Sequence, residues 1–191
     1  MLNVLDAWIM ELLDQLVRDV TKALERYDTV GGVRAIEGVV DNLSTWYVRR
    51  SRDRVGPAAE DVTDKQACYE TFYTVLTTVC KVAAPFIPFF SEELNRNLTK
   101  EESVHLALWP KISNFKFQIS NLEEKMQLVK KVCEMGHAIR KGKKIKVRQP
   151  LGKCQMSNLK CKMEDQFIQL IKDELNVKEV EVNEGDGELT V

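Results

Sequence analysis

Two runs of positive charge carry most of the recognisable chemistry in this sequence. In the first, Arg49, Arg50, Arg52 and Arg54 follow closely on Trp46 and Tyr47, relieved only by Asp53. In the second, Arg140, Lys141, Lys143, Lys144, Lys146 and Arg148 crowd together with no acidic residue between them. A guanidinium presents a planar fork that grips a phosphate through two hydrogen bonds, and a neighbouring aromatic ring can stack on an unpaired base. Arginines beside an aromatic pair therefore point to a nucleic-acid surface. Trp46 has two roles open to it, stacking on a base or packing a helical core. No Gly-rich phosphate loop, G-x-S-x-G elbow or nucleophile with an adjacent base stands in the chain. His105 and His137 are far apart and define no pair.

The net charge conceals these runs. Over 191 residues, 28 Lys and Arg stand against 29 Asp and Glu, a formal balance of -1. Yet from Met135 to Met163 there are nine basic residues and no acidic one, so the remaining 19 basic residues face all 29 acids. The segment after Met163 is acidic. Near-neutrality is thus a small sum of large opposed terms and excludes no charged partner. Five cysteines, Cys68, Cys80, Cys133, Cys154 and Cys161, are odd in number and widely spread, as expected of reduced thiols rather than a disulfide framework. Paired C-x2-C ligands are missing, so no metal site is expected. No apolar run is long enough to span a bilayer, and Pro85 and Pro88 interrupt the longest.

The elements that must position these clusters are mostly helical. Leu5, Ile9, Leu12, Leu13, Leu16, Val20 and Leu24 recur at three- and four-residue steps and predict a first helix, which Gly31-Gly32 is expected to break. Val33, Ile36, Val39, Val40, Leu43 and Tyr47 predict a second that runs into the arginines and stops at Gly56-Pro57. A third is expected over 64–84 with Thr63 as N-cap, and a short fourth over 88–98 beyond the two prolines. Ile112 to Ile119 reads as loop or extended chain. A fifth helix begins at Leu122, capped by Asn121 or Ser120, and ends in the second basic run. Alternation from Lys144 to Arg148 predicts a short strand stopped by Pro150-Leu151-Gly152; a helix over 164–175 and strands over 177–182 and 188–191 follow. The expected fold is mainly α, an antiparallel bundle over 1–120 followed by a basic helix and small α+β unit over 121–191.

Several of these segments carry a resemblance. Leu5-Asp6-x-Trp8-Ile9, Ile36-Glu37, and Asn42-Leu43-Ser44-x-Trp46-Tyr47-x-Arg49-Arg50-Ser51-Arg52 resemble the helical anticodon-binding domain of class I aminoacyl-tRNA synthetases. Ala84-Pro85-Phe86-Ile87-Pro88-Phe89, Glu92-Glu93 and Ser103-Val104-His105-Leu106-x-x-Trp109-Pro110 are similar to the same domain, and Lys144-Ile145-Lys146-Val147-Arg148-Gln149-Pro150-Leu151 to the segment after it. The arginines following the Trp-Tyr pair make the isoleucyl members the better match than the valyl ones. The resemblance implies a cytoplasmic parent enzyme that ligates isoleucine to tRNA(Ile) with ATP and magnesium. It implies that this chain binds the anticodon arm; charge and position assign the contacts to Arg49, Arg50, Arg52 and Arg54, with Trp46 either stacking on a base or packing the bundle, and Arg140, Lys141, Lys143, Lys144, Lys146 and Arg148 holding the backbone nearby. The HIGH and KMSKS signatures are absent, so no cofactor and no catalysis are expected within these residues. Aminoacylation and editing domains are expected ahead of Met1. Rival expectations are the same domain of a sibling synthetase, or a helical protein-interaction module whose basic patches meet an acidic partner.

Overall fold

Helix α1 (Val4–Glu25) opens on Asn3, whose side-chain oxygen accepts from the Leu5 amide at 3.0 Å. Its apolar stripe buries Leu5, Trp8, Ile9, Leu12, Leu13, Leu16, Val17 and Val20, the pattern of a helix that packs a core along one wide face. The computed structural model describes residues 3–111, 121–159 and 163–184, arranged as two compact units, Met1–Gln118 and Ile119–Val191. The mainly helical expectation holds: seven α-helices and one small sheet make up the described residues. None of those helices is long and apolar enough to cross a membrane.

In the first unit the expected break moves. Gly31 and Gly32 lie in the first turn of α2 (Thr29–Asn42), and the chain reverses earlier, at Arg26 to Asp28, with Tyr27 at a φ of 57°. Asp28 caps α2 by accepting from the Gly31 amide at 2.8 Å, which outweighs the poor helix propensity of two glycines. Gly32 has a packing reason: a Cβ there would lie 2.5 Å from Cζ of Phe86. The helix then widens into a π-helical stretch, Leu43–Val48, before the short α3 (Arg52–Val55). Helix α4 (Val62–Ala83) is capped by Asp61, not Thr63, because one carboxylate oxygen accepts from both the Thr63 and Asp64 amides. Helix α5 (Pro88–Leu98) starts on its proline, where no amide donor is needed. Glu92 of α5 accepts from the Ser103 hydroxyl and the Val104 amide and so fixes the 3-10 turn at Val104–Leu106. Trp109 donates from its indole nitrogen to Thr21 Oγ1 of α1 at 2.9 Å. The extended reading of Ile112 to Ile119 and the Ser120 cap lie outside the described residues.

The second unit is built on α6 (Leu122–Gly142), which buries Leu122, Met126, Val129, Val132, Cys133 and Gly136. Asn121 precedes it in the left-handed region without forming a side-chain cap. The strand expected over Lys144 to Arg148 is instead a turn, and the strand β1 (Leu151–Leu159) begins immediately past Pro150. After α7 (Asp165–Leu175), β2 (Val177–Glu184) pairs parallel to β1, with Leu151 opposite Val177 and Cys154 opposite Val180. A helical crossover is the usual route between parallel neighbours. The 188–191 strand lies outside the described residues.

Gly136 lets α6 approach the end of α7: a Cβ on it would sit 2.7 Å from both methyl carbons of Leu175, which is 2% exposed. Gly136→Ala should therefore destabilise the second unit by about 1–3 kcal/mol through overpacking, despite alanine's better helix propensity. In a Leu175→Ala background the same substitution should become neutral or stabilising. All three tryptophans lie in the first unit, so amide hydrogen exchange along α6 and β1 is the readout; equal destabilisation in both backgrounds would refute the contact.

Candidate nucleic-acid interface

The four arginines of the first cluster separate by environment. Arg54 is turned inward. Its Nη1 and Nη2 donate to the two carboxylate oxygens of Asp6, and its Nε and Nη2 to those of Asp64, all at 2.7 Å. Asp6 is fully buried and also accepts from the Tyr47 hydroxyl at 2.7 Å. Tyr47 is itself fully buried and meets Phe72 edge-on at 4.8 Å between ring centres. Arg54, expected to meet RNA, is engaged internally here: its fork holds α1, α3 and α4 together, and its side chain is 11% exposed. The physical reason is that a carboxylate buried on α1 needs a fixed cation, and Arg54 is within reach. Burial acts against the charge on Arg54, but the two carboxylates outweigh it and hold the guanidinium above its ordinary pKa. Burial and the Asp6 hydrogen bond keep the Tyr47 phenol neutral.

Arg49 and Arg52 are exposed, and Arg50 and Trp46 are half-buried. Arg49 donates from Nε to the Thr45 carbonyl at 2.9 Å, and its guanidinium carbon lies 5.9 Å from the Trp46 ring centre. That places a cation at the edge of cation–π range over the indole. Within the Trp46-Tyr47 pair the roles divide: Tyr47 belongs to the core, while Trp46 keeps a partly open ring beside a charged group.

The second cluster divides in the same manner. Arg140 is 3% exposed and donates to four carbonyls, those of Lys146, Gln149, Leu175 and Asn176, at 2.5 to 3.2 Å. Arg140, expected to meet RNA, is likewise engaged internally, since every one of these bonds lies within the unit. Two of the bonds bend residues 143–150 back on α6, which is why the alternating Lys144 to Arg148 does not pair as a strand. The other two neutralise carbonyls at the end of α7, where the helix dipole favours a cation. Lys141, Lys143, Lys144, Lys146 and Arg148 are all exposed on or beside this turn, and none forms an ion pair with a described residue. Lys144 adopts a φ of 55°.

Sequence reasoning passed over Asp6 and Asp64, the groups that hold Arg54. The available signal was Asp6 itself, an acid set among Leu5, Ala7, Trp8 and Ile9 where the helix face is apolar. Among the described residues no cluster of His, Cys, Asp and Glu is placed to hold a metal ion.

Residues 6–155 match the family described as the anticodon-binding domain of tRNA ligase, a span that includes both basic clusters. The chain belongs to that family. It is 41% identical over 185 residues to the isoleucine–tRNA ligase of Clostridium novyi, covering 94% of this chain and 17% of that protein. It is 43% identical over 189 residues to the isoleucine–tRNA ligase of Deinococcus radiodurans (97% and 17%), and 39% over 193 residues to that of Treponema denticola (98% and 17%). The chain therefore spans about a sixth of the length of these curated relatives.

The clamp in the first unit has a pH signature. The Arg54 hydrogen bonds hold the Asp64 carboxyl below its ordinary 3.8. A depressed native value stabilises the fold above the unfolded-state pKa, and that contribution is lost as pH falls through the native one. Tryptophan-monitored denaturation should show first-unit stability dropping below about pH 4, with a shallower drop in Asp64→Asn. Arg54→Met should cost about 3 kcal/mol or more at neutral pH by leaving Asp6 buried without its cation. An Arg54→Met chain as stable as the unsubstituted one would refute the clamp.

Proposed function

We propose that this chain is the part of an isoleucine–tRNA ligase that binds the anticodon arm of tRNA(Ile). One observation carries the reading: seven exposed cations, Arg49, Arg52, Lys141, Lys143, Lys144, Lys146 and Arg148, all fall within the span matched by the anticodon-binding family. The names of the relatives support isoleucine as the amino acid of the parent enzyme. In this reading the cations contact backbone phosphates of the stem and loop, and Trp46 offers an open ring edge to an unstacked base. Ligation of isoleucine to tRNA, with ATP and magnesium, belongs to the catalytic domain of a longer cytoplasmic parent, which also carries an editing domain.

Titration of a labelled tRNA(Ile) anticodon stem-loop at several salt concentrations tests this. With about four phosphates neutralised at ~0.7–0.9 counterions each, log K should fall against log salt with a slope of roughly -3. The isoleucine loop should bind more tightly than a valine one. Adding ATP, isoleucine and tRNA to the chain should produce no charged tRNA. A flat salt response, or turnover by the chain alone, would contradict the reading.

A further inference from the structure

The second unit contains an open cavity of about 280 Å³ between the end of α6, the basic turn and the sheet. Its walls are apolar, from Ile139, Ile145, Leu151 and Val177, and Lys143 and Gln155 add the polar groups. This volume falls just below the roughly 300–1,000 Å³ of pockets for drug-sized ligands, so it suits one ring system. Arg140 also borders the cavity, but both its terminal nitrogens are taken by the four carbonyls, so it shapes the wall.

The charge around the opening indicates what that ring is attached to. Lys143 lines the cavity, and its sequence neighbours Lys141, Lys144, Lys146 and Arg148 are exposed, without ion-pair partners among the described residues. Lys153 differs, because Glu181 pairs with it. Glu181 also accepts from Gln155 Nε2 at 2.9 Å. Cys154 on the wall is held as a neutral thiol by its burial, so it adds no negative charge. An apolar slot bordered by Lys143, within a basic stretch of chain, matches a flat heterocycle carried on a phosphodiester chain.

We propose that this cavity receives a single unstacked nucleobase from the bound RNA loop, while the 141–148 turn holds the phosphates flanking it. The proposal rests on the anticodon-arm reading and adds to it a base-binding site in the β-α-β unit.

The test uses the full 191-residue chain and anticodon stem-loops in which each loop nucleotide in turn is made abasic. For the unsubstituted chain, one abasic position should weaken binding about tenfold. Ile139→Trp, at a 41%-exposed position on the cavity rim, should fill the slot and weaken the intact loop by a similar factor. The salt slope should stay unchanged, because no phosphate contact is lost. Combining Ile139→Trp with the sensitive abasic loop should add little further loss. A measurement independent of any substitution is the amide spectrum of the unsubstituted chain: shifts at Ile145 and Gln155 should vanish with that one abasic loop, while those at Lys141 and Lys144 persist. Intact-loop binding by Ile139→Trp at the unsubstituted affinity, or cavity shifts identical for every abasic loop, would overturn the base site and leave the anticodon-arm reading standing. Failure of the unsubstituted chain to bind the intact loop at low salt would overturn both.

Discussion

A guanidinium cannot discard its charge in a protein, and its donors call for acceptors wherever it is buried. Both units are organised around that constraint. In the first, Arg54 is gripped by two carboxylates, one fully buried, and Tyr47 completes the set. In the second, Arg140 has no carboxylate and is held by four backbone carbonyls, two from the turn it shapes and two from the end of α7. Removing either cation would strand acceptors in a dry interior, a far larger loss than any single exposed ion pair could offset.

The same constraint decides what the remaining charges can do. Because Arg54 and Arg140 hold the backbone in place from inside, Arg52 and the Lys141–Arg148 turn are displayed without having to stabilise anything themselves. Exposed cations of this kind contribute little to folding and are available to a polyanion. Trp46 and Arg49 sit at the border between the two roles, the ring half-covered and the guanidinium over its edge. Net charge carries none of this information, since opposed local excesses cancel in the sum.

Periodicity was enough to place the long helices: α1, α4 and α6 each bury one stripe, and repeated apolar spacing reports that directly. The positions of Pro88 and the 164–175 pattern were equally readable. What could not be read depended on contacts distant in sequence. Gly31-Gly32 looks like a helix stop, but Asp28 caps it and Phe86 packs on the bare Cα of Gly32. Lys144 to Arg148 alternates like a strand, but it pairs with no described strand and Arg140 bends it into a turn. Inside each basic run, nothing local distinguishes the buried arginine from its exposed neighbours. That distinction comes from Asp6, 48 positions from Arg54, and from Leu175, 35 positions from Arg140.

Whether RNA is held by the exposed cations, as proposed, rather than by Arg54 and Arg140 is decided by the salt dependence of stem-loop affinity in an Arg52→Gln/Lys144→Gln chain. Loss of two phosphate contacts should make the slope shallower by about 1.5 while the fold stays intact. An unchanged slope in a folded double variant would contradict the claim.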